Sequence, residues 1–303
     1  MPTARRPGMD HAIYPYSAVP DRAPFRLASG KPIALYIVLQ IEHYELFTPD
    51  GAYREPRFKG EFGTFTPDYR TWSYRQYGNR VGLYRVLEVL DDLAVPVTAA
   101  IGAGAIEAHP EIVGAIASRG YEIAAHGLTA NRMITSHMSA EVERDHILQS
   151  RDALQSAFGV QPRGWLSQDF GNTPRTSALL REAGFSYTMD WANDEQPYLQ
   201  LDAPGLIALP APSEWDDVQT LALRRVSAER FPGLVADAIE GLAGAPADSA
   251  RALAIGVHPW VFGTAHRIRY LREVLEHAQS HPAVDIMTAG TLADTFARQA
   301  RQI

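Results

Sequence analysis

Apolar positions in this chain fall into short unbroken runs, separated by longer segments in which they recur at helical spacing. The run Ile33–Ile41, IALYIVLQI, is almost wholly apolar and β-branched. That pattern marks a strand buried on both faces of a parallel sheet, where polar alternation disappears because helices cover both sides. Similar runs follow at PVTAAI (96–101), YEIAA (121–125), RGWLS (163–167), FSYTM (185–189), GLIALP (205–210), ALAIGV (252–257) and AVDIM (283–287). Between them, RVGLYRVLEVLDDL places Leu83, Leu87 and Leu90 on one stripe, and SAEVERDHILQSRDALQSAFG places Ile147, Leu154 and Phe158 on one face. Ser139 suits the N-cap of the second of these helices and Gly159 the turn just past its end. TPRTSALLREAGF opens with Thr173 as cap and Pro174 in the first turn, and closes at Gly184. Residues 265–280 and 290–301 carry two more helical patterns.

About eight strands alternating with helices predict an α/β fold: a single irregular (β/α) barrel of about seven or eight strands. A doubly wound open sheet is the competing arrangement. No Gly-x-Gly-x-x-Gly and no P-loop follows any strand, which removes the commonest ligands of that fold. The barrel occupies residues 33–303, and residues 1–32, with six prolines and no periodicity, read as an arm over the surface or onto a neighbouring subunit. One interval breaks the rhythm. Residues 44–77 show neither helix nor strand, yet carry Tyr44, Phe47, Tyr53, Phe58, Phe62, Phe65, Tyr69, Trp72, Tyr74 and Tyr77. A loop this long inside a compact domain is ordinarily functional. It follows the first strand, so it would cover the barrel face where active sites form, walling a pocket or packing under a subunit contact.

Composition narrows the function classes. A net charge of −7 argues against a nucleic-acid partner, because phosphate binding needs a basic face. The absence of cysteine excludes disulfides, thiolate metal sites and a cysteine nucleophile. No apolar run approaches the ~18–20 residues of a membrane span, and the first twenty residues lack the apolar core of a secretory signal. The expectation is a soluble cytoplasmic protein, a homo-oligomer if the arm and the aromatic segment meet a second copy.

Reactive side chains of β/α barrels come from the carboxyl ends of strands. Those positions here hold Gln40, Glu42 and His43 after the first strand, and His126 after the third. Arg163, Trp165 and Ser167 belong to the fourth, Asp190 and Trp191 to the next, and His258 and Trp260 to the strand ending IGVHPW. Polar residues, otherwise rare in apolar runs, thus gather at one end of the barrel. His137, His146, His266, His277 and His281 sit on or near helices and read as helix-face residues. There is no His-x-His, no His-Glu-x-x-His and no Gly-x-Ser-x-Gly, so neither a zincin nor a serine hydrolase is supported.

The collection resembles the polysaccharide deacetylase (NodB-homology) superfamily. It is most similar to the branch that includes cofactor-independent allantoinases and peptidoglycan-deacetylase-like proteins. The resemblance covers about residues 33–300 and rests on IEHYE, on YGNRVGLYRVLEVLDDLAVPVTA (77–99) and HPEIVGAIASRGYEIAAHG (109–127), and on RGW, SYTMDWANDEQPY (186–198) and HPW. It implies a distorted barrel that hydrolyses a carbon–nitrogen amide bond. In that superfamily an acidic pair after the first strand supplies a general base and a metal ligand, two histidines four apart complete the metal site, and a late-strand histidine is the general acid. Glu42 matches the base, His43 stands at the second acid, His126 matches the first histidine, Ala130 replaces the second, and His258 matches the general acid. The departures point to a member that needs no cofactor, with a weakly held divalent metal such as zinc, on His43 and His126 with Asn131 or water, as the alternative.

The chemistry can be read without the family. Amide hydrolysis needs a base to activate water and an acid to protonate the departing nitrogen, and Glu42 and His258 are the right types. Trp165 and Trp191 are candidates for apolar walls around a carboxylate, Arg163 for oxyanion stabilisation, and Asp190 for substrate binding. The implied partner is a small molecule or a saccharide: an N-acylated sugar or a small cyclic ureide. Two other classes stay open, a degenerate member that binds such a ligand without chemistry, and a glycoside hydrolase using Glu42 and Asp190.

Overall fold

The computed structural model describes residues 10–50, 52, 67–246 and 248–300. Among the described residues nine strands form one sheet: β1 (Ile33–Ile41), β2 (Val97–Ile101), β3 (Glu122–Ala125), β4 (Gly164–Trp165), β5 (Tyr187–Trp191), β6 (Tyr198–Leu199), β7 (Ile207–Pro210), β8 (Arg251–Val257) and β9 (Val284–Ile286). The spatial order is β6-β7-β5-β4-β3-β2-β1-β8, all parallel except the β6–β7 hairpin. β1 is the hub. One of its edges pairs with β8 over Ile33–Leu39, and the other is divided between β9 at Ile33–Leu35 and β2 at Ile37–Ile41.

The sheet curls into a half-barrel whose margins, β7 and β8, form no ladder with each other. The seam is held by other means. The Gly256 N–H donates to the Trp215 carbonyl at 3.1 Å, and the Tyr36 hydroxyl of β1 crosses the interior to the Pro210 carbonyl. The expected barrel of eight strands is therefore present but incompletely closed, with β6 as an added two-residue strand.

Alternation, hidden in the sequence by double burial, governs the packing. Along β1, Ile33, Leu35, Ile37, Leu39 and Ile41 join Leu83, Leu87 and Leu90 in the layer between sheet and helices. Ala34, Tyr36 and Val38 join Ala124, Leu166, Met189, Leu209, Ala252 and Ala254 in a second cluster inside the curl. Small alanines from β1, β3 and β8 leave room there for Tyr36 and Tyr187. The helices are α1 (Tyr69–Tyr77), α2 (Leu83–Leu93), α3 (Ala103–Ala108), α4 (Pro110–Ala117), α5 (Ala140–Phe158), α6 (Thr176–Glu182), α7 (Phe231–Ala243), α8 (Ile268–Ser280) and α9 (Ala289–Ala300). Ser139 caps α5 by accepting from Val142 N at 3.2 Å, and Gly159 ends it in the left-handed conformation (φ 71°), both as the sequence predicts.

Two expectations change. The interval 44–77 is not loop throughout: its last part is α1, capped by the Asp68 side chain on Thr71 N at 3.0 Å and running through a π turn, Gly78–Gly82, into α2. Its aromatics Tyr53, Phe58, Phe62 and Phe65 lie outside the described residues. The described part of the arm lies on its own barrel. Arg22 clamps Asp194 at 2.6 and 2.8 Å, Leu201 N donates to the Ile13 carbonyl at 2.7 Å, and Phe25 and Leu27 are buried. Among the described residues, no helix is long and apolar enough to cross a membrane.

Candidate active site

The inward register of β1 runs Ala34, Tyr36, Val38 and then reaches Gln40 and Glu42, so the interior changes from apolar to polar at the carboxyl end of the strand. The same parity carries Ala124 of β3 to His126, and Ala252 and Ala254 of β8 to Gly256 and His258. Three side chains thereby meet. Glu42 Oε1 stands 3.6 Å from His126 Nε2 and 4.0 Å from His258 Nε2, and both rings are almost fully buried.

Each member is oriented from behind. His126 Nδ1 lies 2.7 Å from the Leu166 carbonyl, which can only accept, so the proton sits on Nδ1 and Nε2 turns toward Glu42. Gln168 donates to the His126 carbonyl at 2.8 Å. His258 is held by Asp217 twice: its backbone N–H donates to Oδ2 at 2.9 Å, and Nδ1 lies 2.7 Å from Oδ1. Asp216 adds a second carboxylate at 3.7 Å and is itself fixed by Gln40 Nε2 at 2.7 Å. Gly256 is required here, since a Cβ would come within 2.4 Å of Asp216 Oδ2. Burial alone would lower the His258 pKa, but the charges of Asp216 and Asp217 and the hydrogen bond to Asp217 raise it to about 9.

Glu42 receives a partner from α1. Arg75 Nη1 donates to Glu42 Oε2 at 2.6 Å, and its guanidinium lies 4.1 Å over the Trp260 ring. Burial pushes the Glu42 carboxyl up, yet the Arg75 charge, with the facing His126 and His258 rings, outweighs it and holds the group well below the usual carboxylate range. The π turn Gly78–Gly82 brings α1 against the turn that follows His258, because a Cβ at Gly82 would lie 2.0 Å from the Pro259 carbonyl oxygen. A second π segment, Val218–Leu223, follows directly on Asp216 and Asp217. Such single-turn bulges re-aim side chains within a continuing helix. Beside Arg75 and Trp260 opens a cavity of about 650 Å³, walled also by Tyr74, Tyr77, Leu223 and Thr264.

Arg75, Asp216 and Asp217 were not singled out from the sequence. Several residues that were singled out lie elsewhere. Arg163 precedes β4, at the opposite end of the strand, and is half exposed in an ion pair with Asp294, so it stabilises no oxyanion. Trp165 has the outward parity and is fully buried against Phe185, with Nε1 on Ser167 Oγ at 2.8 Å, so it is core rather than pocket wall. Asp190 accepts from Ser167 N at 2.6 Å, Ser167 Oγ at 3.0 Å and Thr188 Oγ1 at 2.9 Å. That carboxylate ties the ends of β4 and β5 together and does not serve as the second acid of a glycoside hydrolase. Trp191 stands at the end of β5, where the Tyr14 ring of the arm meets it edge-on at 6.3 Å. His43 has the outward parity, and its ring faces His109 at 5.7 Å.

A family-type metal site does not assemble from these residues. His43 is turned out of the cluster, position 130 is alanine, and the Asn131 amide is spent on Glu45 at 3.0 Å and Thr48 at 2.7 Å. The Arg75 guanidinium at Glu42 would also repel a cation there. Asp216, Asp217 and His258 lie close enough together to hold an ion. Their donor atoms are instead engaged with one another, with Gln40, and with Gln219 N at 3.0 Å.

Comparison with known proteins agrees with this fold. Residues 77–188 match the family model described as polysaccharide deacetylase. A polysaccharide deacetylase homologue from Schizosaccharomyces pombe is 28% identical over 244 residues, covering 73% of this chain and 74% of that protein. The peptidoglycan deacetylase of Helicobacter pylori is 28% identical over 123 residues, 40% of this chain and 41% of that one. The crystal structure of Puue allantoinase superimposes with a TM-score of 0.83 at 24% identity, over 94% of this chain and 98% of that chain. A curled α/β half-barrel, with an acid and two histidines gathered at the carboxyl ends of its strands, defines a deacetylase-type hydrolase fold. The family model, the curated relatives and the shared fold together support the polysaccharide deacetylase (NodB-homology) superfamily for this chain.

Proposed function

We propose that this protein hydrolyses a non-peptide carbon–nitrogen bond, removing an acyl group from an N-acylated sugar or opening a small cyclic ureide. The observation that carries the reading is the opposition of Glu42, kept ionised by Arg75, and His258, kept protonated by Asp216 and Asp217, across 4.0 Å. A water beside them gives a hydrogen to Glu42 Oε1 and keeps a lone pair free for the carbonyl carbon. Glu42 takes the proton as the carbon–oxygen bond forms. His258 Nε2–H then delivers a proton to the nitrogen as the carbon–nitrogen bond breaks. Trp260 and the adjoining cavity offer an apolar wall for a sugar face or a flat ureide ring. The mechanism requires no metal at Glu42. The relatives named as acting on polysaccharide, peptidoglycan and allantoin support the substrate classes.

The reading is tested by following amine, acetate and ring opening on N-acetylated sugar oligomers, peptidoglycan fragments and allantoin, before and after dialysis against a chelator. Turnover of one class that survives the chelator is the expected result. Ligand binding without turnover on any class would instead identify a non-catalytic binding protein. Arg75→Leu should shift the acid limb of the rate profile upward, toward the ordinary carboxylate range, because the charge that lowers the Glu42 pKa is gone. An acid limb unmoved in this variant would refute the role given to Arg75.

A further inference from the structure

Gln40 is a polar residue that the reaction leaves unused on the inward face of β1, between Val38 and Glu42. It is buried, and a buried amide is costly unless its hydrogen bonds are made. Its Nε2 donates to Asp216 Oδ2 at 2.7 Å, and the same carboxylate oxygen lies 3.7 Å from His258 Nδ1. Asp216 Oδ1 is engaged separately, accepting from Gln219 N at 3.0 Å. The facing strand is shaped to this contact. A Cβ at Gly256 would collide with Asp216 Oδ2 and lie 2.9 Å from Gln40 Nε2, so amide and carboxylate together fill the space a β8 side chain would take.

We propose that Gln40 is a positioning residue: its amide fixes Asp216 as an ionised second carboxylate beside His258 and keeps it from displacing Asp217 at Nδ1. Two buried carboxylates flank one imidazole here, and like charges repel. Burial, together with the Asp216 charge, pushes the Asp217 carboxyl up to about 6. A donor to the charged form of Asp216 keeps the second charge in place. That charge matters to the ring. Burial lowers the His258 pKa, and the Asp216 charge leads those of Asp217 and Glu42 in raising it. Arg75, the cation from α1, is engaged with Glu42 and with the Trp260 ring. Gln40 thus acts on His258 through Asp216.

The test is titration of the His258 ring by NMR in the full-length protein, its signal assigned by loss in His258→Asn. The wild-type midpoint is expected at about 9. Gln40→Met keeps the bulk but not the donor, so Asp216 takes up a proton and the midpoint falls by about one pH unit or more. Asp216→Asn lowers it at least as far. The double variant falls no further than Asp216→Asn, because both residues act through one charge. In Gln40→Glu the new carboxyl shares a proton with Asp216, restores a donor and returns the midpoint to the wild-type value or above. Where circular dichroism shows Gln40→Met unfolded, Gln40→Leu takes its place. An unmoved midpoint in the folded apolar variant, a Gln40→Glu midpoint as low as that variant's, or a double variant below Asp216→Asn would each overturn the proposal. It rests on the hydrolase reading only for its effect on turnover, where the alkaline limb should move with the midpoint. The titration needs no substrate, so failure here and failure of that reading are separately visible.

Discussion

Glu42→Gln lowers the hydrolytic rate by about 10²–10⁴-fold, the usual loss for a positioned acid or base, and His258→Ala lowers it comparably. The two act on one proton path, so the double variant falls little further than either single one. Gln keeps the shape and one acceptor oxygen, so Arg75 and Asn79, whose Nδ2 donates to the Glu42 carbonyl at 2.8 Å, still hold the strand end in place. The wild-type pH profile carries the same assignment. Glu42 must be ionised and is so at every pH above its depressed value, while His258 must be protonated and is so below about 9. The profile is therefore a broad plateau whose alkaline limb falls tenfold per pH unit above about 9. A near-wild-type rate in Glu42→Gln, measured on the substrate the screen identifies, would remove Glu42 as the base.

Asp217→Asn has the second large effect, and it acts on activity and stability together. Asp217 is fully buried and gives one oxygen to the His258 backbone and the other to its ring. An amide can accept only through its single oxygen, so one of those bonds is lost and the imidazolium loses its nearest counter-charge. Breaking a buried pair of this kind costs about 3–5 kcal/mol, which urea unfolding would register. The alkaline limb should move down from about 9 toward the ordinary histidine value. The linkage follows in sign. A folded-state pKa raised above the unfolded 6.5 contributes stability in full below pH 6.5 and loses it as the pH rises to about 9. The wild type should therefore weaken across that window, and the variant, which keeps Asp216 and Glu42 beside the ring, should weaken less. Parallel stability curves for the two proteins from pH 6 to 10 would contradict the Asp217–His258 pairing.

Much of the fold was legible because buried parallel strands announce themselves as apolar runs, and all eight that the sequence predicts are present. The two-residue β6 is too short to leave such a run. α1 was missed because YRTWSYRQY carries no apolar stripe, and α7 was not singled out, its glycines and proline interrupting the helical pattern. Within the site, Glu42, His126 and His258 were readable from strand ends. Trp165 and His43 were misjudged for a single reason: strand-end position was used without parity. Counting by twos from Tyr36 selects Glu42 and rejects His43, and counting from Leu166 rejects Trp165. Arg163 fails at the other end of the strand altogether. Asp216 and Asp217 were beyond reach because they lie between elements, in the segment that spans the β7–β8 seam, and no periodicity selects them. Arg75 arrives from a helix whose sequence gives no sign of facing the barrel.

The threefold pairing of β1 also bears on how the chain is made. During synthesis this strand leaves the ribosome before the other eight, and β8 and β9, which pair along one edge and part of the other, follow more than two hundred residues later. At about 5–20 residues per second the most apolar segment of the protein waits on the order of 10–50 s for its partners. Throughout that interval the edge of IALYIVLQI that β8 will cover stays open, an uncharged strand edge of the kind that chaperones bind and aggregates recruit. The Glu42–His258 pair can form only once β8 and the residue after it have emerged, so no folding intermediate that precedes β8 carries a formed reaction centre.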